Sequence, residues 1–247
     1  MLYLGPDKTD HRQRDSAGRN WQQYYQHQAT TVQHPLLRQF YAAGMIAAST
    51  PISQVPLLAI DFETTGLNAE DNGIVSIGLV PFNLQRIFCS RARQWLLKPR
   101  FALTDSSVTV HRITHSEISN APDLSAVLPE LLPLLAGKVA VVHYRQIERS
   151  FLAASVKVRL GESILFPVID TMELEARLHR AKPLSWWDKL RGRQQLSIRL
   201  DASRSRYQLP PYRPHHAVTD ALASAELLQA QISHRFSPDT PVSDLWC

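Results

Sequence analysis

"LLAIDFETTGL", residues 57–67, opens with four apolar residues and runs straight into two acids, Asp61 and Glu63. A short apolar run of this kind reads as a buried strand. Residues i and i+2 of an extended strand share a face, so both carboxylates stand on one side of its end. Like charges held that close repel unless one is protonated or a cation lies between them. A lone D-x-E is more often a pair of solvated acids, so the reading turns on what the rest of the chain brings to the same edge. The following "TTGL" reads as a turn with Gly66 at positive φ, which leaves backbone N–H groups to face a ligand.

Downstream, "GIVSIGLVPF" (73–82) and "RIFCSRARQWLLKP" (86–99) read as a second and a third strand. The turns "EDNG" and "FNLQ" are of hairpin length, so the three strands form an antiparallel meander. Strands and helices then alternate: a helix over 123–137, a strand over 138–143 and a helix over 146–161. A strand over 167–170 and helices over 171–181 and 217–235 follow. Two of these helices stop at Gly137 and Gly161. The pattern predicts an α/β fold, a five-stranded mixed sheet of three antiparallel and then parallel strands, flanked by helices.

Upstream of residue 57 the chain changes character. Residues 1–19 are polar, charged and without periodicity, which predicts disorder. "RNWQQYYQHQATTVQHPLLRQFYAAGM" (19–45) predicts two short amphipathic helices, and "STPISQVP" (49–56) a linker. The expected organisation is a polar tail and helical N-terminal extension with linker (1–56), a main domain (57–235) and a C-terminal tail (236–247).

The 247 residues suit one domain plus an extension. No apolar run is long enough to span a bilayer, and the polar N-terminus lacks a signal-peptide core. Cys89 and Cys247 show no metal-ligand spacing and read as reduced thiols, so a cytoplasmic location is expected. A net charge of +5 is concentrated in "KPLSWWDKLRGRQQLSIRLDASRSRYQ" (182–208), where Lys and Arg alternate with Trp186, Trp187 and Tyr207. That mixture suits phosphate contact plus base stacking, or equally a solvated loop plugged by its tryptophans.

Two more acids stand at element ends. Glu148 falls in the first turn of the 146–161 helix. Asp220 falls early in the last helix, five residues after His215. Acids there also favour the helix dipole. Three segments delivering acid to one sheet edge argue for more than that. Oxygen ligands with no cysteine partner suit Mg²⁺ or Mn²⁺.

"DFETTGL", "VVHYRQIERSFL" and "HHAVTDALASAELL" resemble, in order, the three motifs of the DEDDh-type 3′-to-5′ exonucleases, a family that includes the proofreading subunits of bacterial replicative polymerases. "SVTVHRITHSEI" (107–118) resembles their connecting element, with Arg112 where Gly is usual. The resemblance spans about residues 57–232. It implies a ribonuclease-H-like fold, an exonuclease domain over 57–235, and two Mg²⁺ or Mn²⁺ ions held by Asp61, Glu63, Glu148 and Asp220. It implies His215 as general base, with His216 as spacer. Thr64, Thr65, Gly66 and Leu67 would hold the terminal nucleotide, with His111 beside them. Asp170 is not a ligand in that family. The second motif departs from the usual pattern at Tyr144, for Asn, and at Glu148, for Asp.

The expected activity is metal-dependent 3′-to-5′ hydrolysis of single-stranded nucleic acid, with DNA favoured over RNA as the substrate, by two-metal chemistry. Hydrolysis of short oligoribonucleotides or small phosphodiesters is an alternative on the same site. A nucleic-acid-binding or assembly module with a weakened site is another, which Glu148 keeps open. The N-terminal extension is expected either to cover the core or to dock a protein partner.

Overall fold

The computed structural model describes residues 18–101, 113, 115–180 and 195–247. The expected disordered residues 1–17, His111 and the Trp186–Arg193 part of the basic stretch lie outside them. Five strands form one sheet: β1 (Leu57–Thr64), β2 (Ile74–Phe82), β3 (Arg93–Leu96), β4 (Val139–Val142) and β5 (Val168–Asp170). Their order is β3-β2-β1-β4-β5. β2 pairs antiparallel with β1 and with β3, while β4 runs parallel to both β1 and β5. This is the mixed sheet that the strand spacing predicts.

Eight helices are described: α1 (Trp21–Thr31), α2 (Pro35–Ala42), α3 (His115–Ser119), α4 (Leu124–Leu135), α5 (Arg145–Leu160), α6 (Thr171–His179), α7 (Leu200–Arg206) and α8 (Ala217–Arg235). The strand period of two sorts the core into layers. Leu58, Ile60 and Phe62 of β1 pack in one cluster with α1, α2, α4 and α5. Leu57 and Ala59 pack in the other, with Leu174 of α6 and Ala221, Ala225 and Leu228 of α8. Asp61 and Glu63 continue the odd-numbered face, so the apolar row runs into two acids at the start of α8.

The structure corrects three local expectations. The third strand is shorter than residues 86–99, and a 3₁₀ turn at Cys89–Arg91 precedes it. Pro81 explains the break: its carbonyl accepts the Phe88 N–H at 2.9 Å, but it has no N–H to return. The 49–56 segment is docked rather than loose, because Ile52 and Val55 are buried in the second cluster. The Ser53 N–H also binds the Pro238 carbonyl at 3.0 Å. The chain after residue 235 is tied down too, with Cys247 and Val168 exchanging backbone bonds along β5. α1 and α2 share the main core through Trp21, Tyr25, Leu37, Phe40 and Tyr41.

Candidate active site

β1 outruns its parallel neighbour. It pairs with β2 as far as Thr64 but with β4 only through Ala59. The edge beyond Ala59 therefore opens at the point where the chain switches direction across the sheet, where α/β folds bind ligands. Asp61 and Glu63 stand there, and α8 brings Asp220 against them. Carboxylate oxygens of Asp61, Glu63 and Asp220 all lie within 4.8 Å of one another. Gly78 makes this approach geometrically feasible. It is the β2 partner of Asp61, and a Cβ on it would sit 2.1 Å from the Ala217 carbonyl carbon. Only a bare backbone lets the first turn of α8 settle on the sheet there.

The cluster is electrostatically uncomfortable. Burial raises the Asp61 carboxyl well above the usual carboxylate range, and the charges of Asp220, Glu63 and Glu148 push it further. Burial, reinforced by Glu63, raises Asp220 to about 6, despite hydrogen bonds from the His216 and His215 N–H groups and from Tyr212. Glu148 is 2% exposed. It accepts the Phe62 N–H and its own N–H, yet burial raises its carboxyl strongly. Its Oε2 is buried without a hydrogen-bond partner among the described residues. Glu148 therefore sits behind the strand end, beside the trio and not within it. Three converging oxygen ligands plus a buried orphan oxygen fit hard divalent cations.

At the rim, His215 adopts φ 68°, a strained value for a non-glycine residue. The strain aims two N–H groups at one carboxylate: His215 and His216 donate to Asp220 Oδ2 at 2.8 and 3.1 Å. Both side chains are exposed. The His216 ring turns back on its own helix, with Nδ1 3.3 Å from Thr219 Oγ1.

Asp170 is not in the acid cluster; it shapes the turn before Glu148. One oxygen accepts the Tyr144 N–H at 3.0 Å and caps α6 at Met172 and Glu173. The other accepts the Arg145 N–H at 3.0 Å. This holds Tyr144 at φ 94° and starts α5 where Glu148 faces β1. His143 is anchored between Thr171 Oγ1 at 2.8 Å and the Ile198 carbonyl at 3.1 Å. Its burial lowers its pKa to about 4, so it stays neutral.

The Thr64–Leu67 turn departs from the expectation in one respect. Gly66 is not at positive φ. A Cβ there would lie 2.5 Å from Asn72 Oδ1, so a larger residue would have to displace the Asn72 side chain. The Thr65 N–H is already bonded to the Gly73 carbonyl at 2.9 Å, and Thr64 Oγ1 donates to the Gly66 carbonyl at 2.6 Å. Leu67 is 46% exposed. It lines an apolar hollow of about 250 Å³ with His143, Tyr144, Ile147, Met172 and Leu200. Gly78 and Tyr212 are absent from the sequence-based site. Gly78 is hidden inside an apolar strand, and Tyr212 lies in a stretch without periodicity.

A mixed sheet with acids converging at this switch point defines the ribonuclease-H-like exonuclease frame. A family model described as "Exonuclease", of the RNase T type, matches residues 58–228. The chain belongs to this 3′-to-5′ exonuclease family, within the DEDDh group that includes polymerase III epsilon subunits. It is 31% identical over 170 residues to the PolC-type DNA polymerase III of Thermotoga maritima, covering 69% of this chain and 11% of that one. It is 26% identical to the DNA polymerase III subunit epsilon of Treponema pallidum, covering 73% and 78%. The chain thus spans about a ninth of the PolC-type polymerases and most of the epsilon subunit. Among solved structures, the nuclease domain of 3′hExo, a DEDDh family member bound to rAMP, shares the fold. It has a TM-score of 0.57, 16% identity and coverage of 73% and 92%. E. coli Exonuclease I in complex with a dT13 oligonucleotide also shares it, at 0.57, 13% identity and coverage of 74% and 42%. No described helix is long and apolar enough to cross a membrane.

Proposed function

We propose that this protein removes nucleotides from the 3′ end of single-stranded nucleic acid, DNA in preference to RNA, and that it depends on divalent cations. The observation that carries the reading is the convergence of Asp61, Glu63 and Asp220 within 4.8 Å, backed by the buried Glu148. Asp61, Glu63 and Asp220 would hold one Mg²⁺ or Mn²⁺, with Glu148 and Asp61 serving a second. Such ions neutralise phosphoryl charge and make water a nucleophile near neutral pH.

The chain's own groups do the rest. His215 stands at the rim and accepts the proton of the attacking water. His215, and not His216, is assigned because it stands five residues before Asp220, the offset of the family's last motif. The turn after β1 presents the terminal sugar and phosphate to the acids, and the apolar hollow under Leu67 takes the terminal base. The preference for DNA is supported by the relatives, which are DNA polymerase III proteins by name. The test is the pure protein on 5′-labelled single-stranded DNA and RNA, with Mg²⁺, Mn²⁺ or chelator. A ladder shortening from the 3′ end, faster on DNA and abolished by chelator, is expected. The absence of any cation-dependent ladder on either substrate would overturn the assignment.

A further inference from the structure

A second feature begins where the β1 turn ends. A groove of about 560 Å³ runs from the turn at Asn72 and Gly73 to the C-terminal half of α5. Its walls carry Lys98, Arg100, Lys157 and Arg159, and Glu70 is the one acid in its lining among the described residues. Arg159 is held by Asp123 at 2.5 Å. Lys98, Arg100 and Lys157 are exposed, and none has a carboxylate partner among the described residues. The Arg100 guanidinium lies 5.9 Å from the Phe101 ring, which is 37% exposed. Unpaired cations beside an open aromatic face suit a polyanion whose units carry stackable rings.

The groove is built from two of the segments that also build the candidate active site. Its upper wall is the turn that follows Leu67. Its lower wall is the helix that carries Glu148. Lys157 lies nine residues further along that helix, a rise of about 14 Å at 1.5 Å per residue, and half a turn round from Glu148. A strand with a phosphate every 3.4 Å or more covers that span within about four phosphates.

We infer that this groove is the track for the 5′-ward portion of the substrate strand, engaging single-stranded nucleic acid about two to four nucleotides from the 3′ end. The inference rests on the proposed exonuclease function for its direction, but its binding arm is independent of turnover. Chains shorter than about three nucleotides end before the groove, so the groove raises affinity for polymers without touching the chemistry.

The test combines Lys98→Glu with Lys157→Glu, with thermal melting to confirm the fold. Binding of a fluorescein-labelled dT12 is read by anisotropy in chelator at several salt concentrations. The double variant is expected to bind about tenfold or more weakly, and its salt slope is expected to fall by about 1.4, the share of two phosphate contacts on a single strand. Lys157→Arg should bind as the parent does. In turnover, KM for a 12-mer should rise while kcat/KM for a dinucleotide stays within twofold. Unchanged dT12 affinity and slope would overturn the track, as would an equal loss on the dinucleotide. Displacement of dT12 by poly-glutamate at equal charge concentration would assign the groove to an acidic protein instead and also overturn it. A parent that binds dT12 but shortens nothing would strike the exonuclease reading and leave the track standing.

Discussion

A lone buried glutamate and a largely buried trio of acids are treated in opposite ways in this protein. Glu175 on α6 is fully buried. Its Oε2 takes Arg206 Nη2 at 2.5 Å, and its Oε1 takes the Tyr207 hydroxyl and Gln231 Nε2, each at 2.8 Å. Burial alone would raise it, but the hydrogen bonds from Gln231, Arg206 and Tyr207 hold it below its ordinary value. Asp61, Glu63 and Asp220 face one another, with Asp61 and Asp220 driven upward. The first is satisfied by the chain and ties α6, α7 and α8 together. In the second, like charges press on one another, and under the proposed function a cation would relieve them. Burial of acid is therefore no guide to function by itself; what distinguishes the two is who supplies the positive charge.

The strongest way to break that comparison is to delete one acid from each set. Asp61→Ala is expected to lower nuclease turnover about a thousandfold or more, the loss of several kcal/mol of charge stabilisation. Cation-free stability should hold or rise, because a repelling charge is gone. Glu175→Ala should destabilise by about 1–3 kcal/mol, since the Gln231 amide, the Tyr207 hydroxyl and the partly exposed Arg206 all lose the same acceptor. Denaturant melts and rates on a labelled oligonucleotide read both. If Asp61→Ala unfolds the protein, or Glu175→Ala leaves stability unchanged, the two clusters are not what the contrast makes them.

The histidines sharpen the functional side. His215→Ala is expected to cost about a hundred- to ten-thousandfold in rate, the span for loss of a general base. His216→Ala should cost less than about tenfold, as it holds the spacer position of the last motif. The reverse ranking in single-turnover rates would exchange their roles.

Much of this was legible in the sequence, for reasons that can be named. The 57–63 stretch shows its face by the period of two. The strand and helix alternation carries its own punctuation at Gly137 and Gly161. What stayed hidden are features that depend on a second segment. Gly78 matters only because Ala217 lands on it. Gly66 matters because of Asn72, not because of its own φ. Residues 49–56 read as a linker because Ile52 and Val55 show no period, yet their burial comes from α8 and the chain after it. Tyr212, whose ring lies 4.9 Å from the buried Arg204 guanidinium, supports Asp220 from a stretch with no pattern.

Glu148 lies between the two sets, since it borrows two backbone donors but keeps one oxygen unpaired. Glu148→Gln preserves the shape and the Phe62 contact but removes the charge, so a loss of about tenfold to a hundredfold is expected. Glu148→Asp should lose less than Gln, because the charge survives while the shorter arm draws back from the site. Steady-state rates at saturating Mn²⁺ separate the cases. A Gln variant equal to the parent would remove Glu148 from the cation-holding set. An Asp variant faster than the parent would mean the longer side chain weakens the site.

The smallest effect is on stability, and its sign follows from the direction of the shifts. Asp220 is raised from 3.8 to about 6, and Asp61 is raised as well. Between the unfolded and folded values the native state binds more protons than the unfolded chain, so this contribution is full below about pH 4 and fades as pH rises through about 6. Other acids, such as Glu175, are lowered and act in the opposite sense, so the raw melting curve mixes both. An Asp220→Asn variant subtracts the shared part, and the parent-minus-variant difference should fall from pH 4 to pH 7 without added cation. Mn²⁺ competes with protons for the same oxygens. Its stabilisation of the parent should be near zero at pH 5. It should reach about 5–10 °C at pH 8 with Mn²⁺ at a hundred times its Kd. Asp220→Asn should lose most of that response, whereas Glu175→Gln should keep its pH dependence. A Mn²⁺ shift equal at pH 5 and pH 8, or one that survives Asp220→Asn intact, would place the cation elsewhere and leave the strained trio without a purpose.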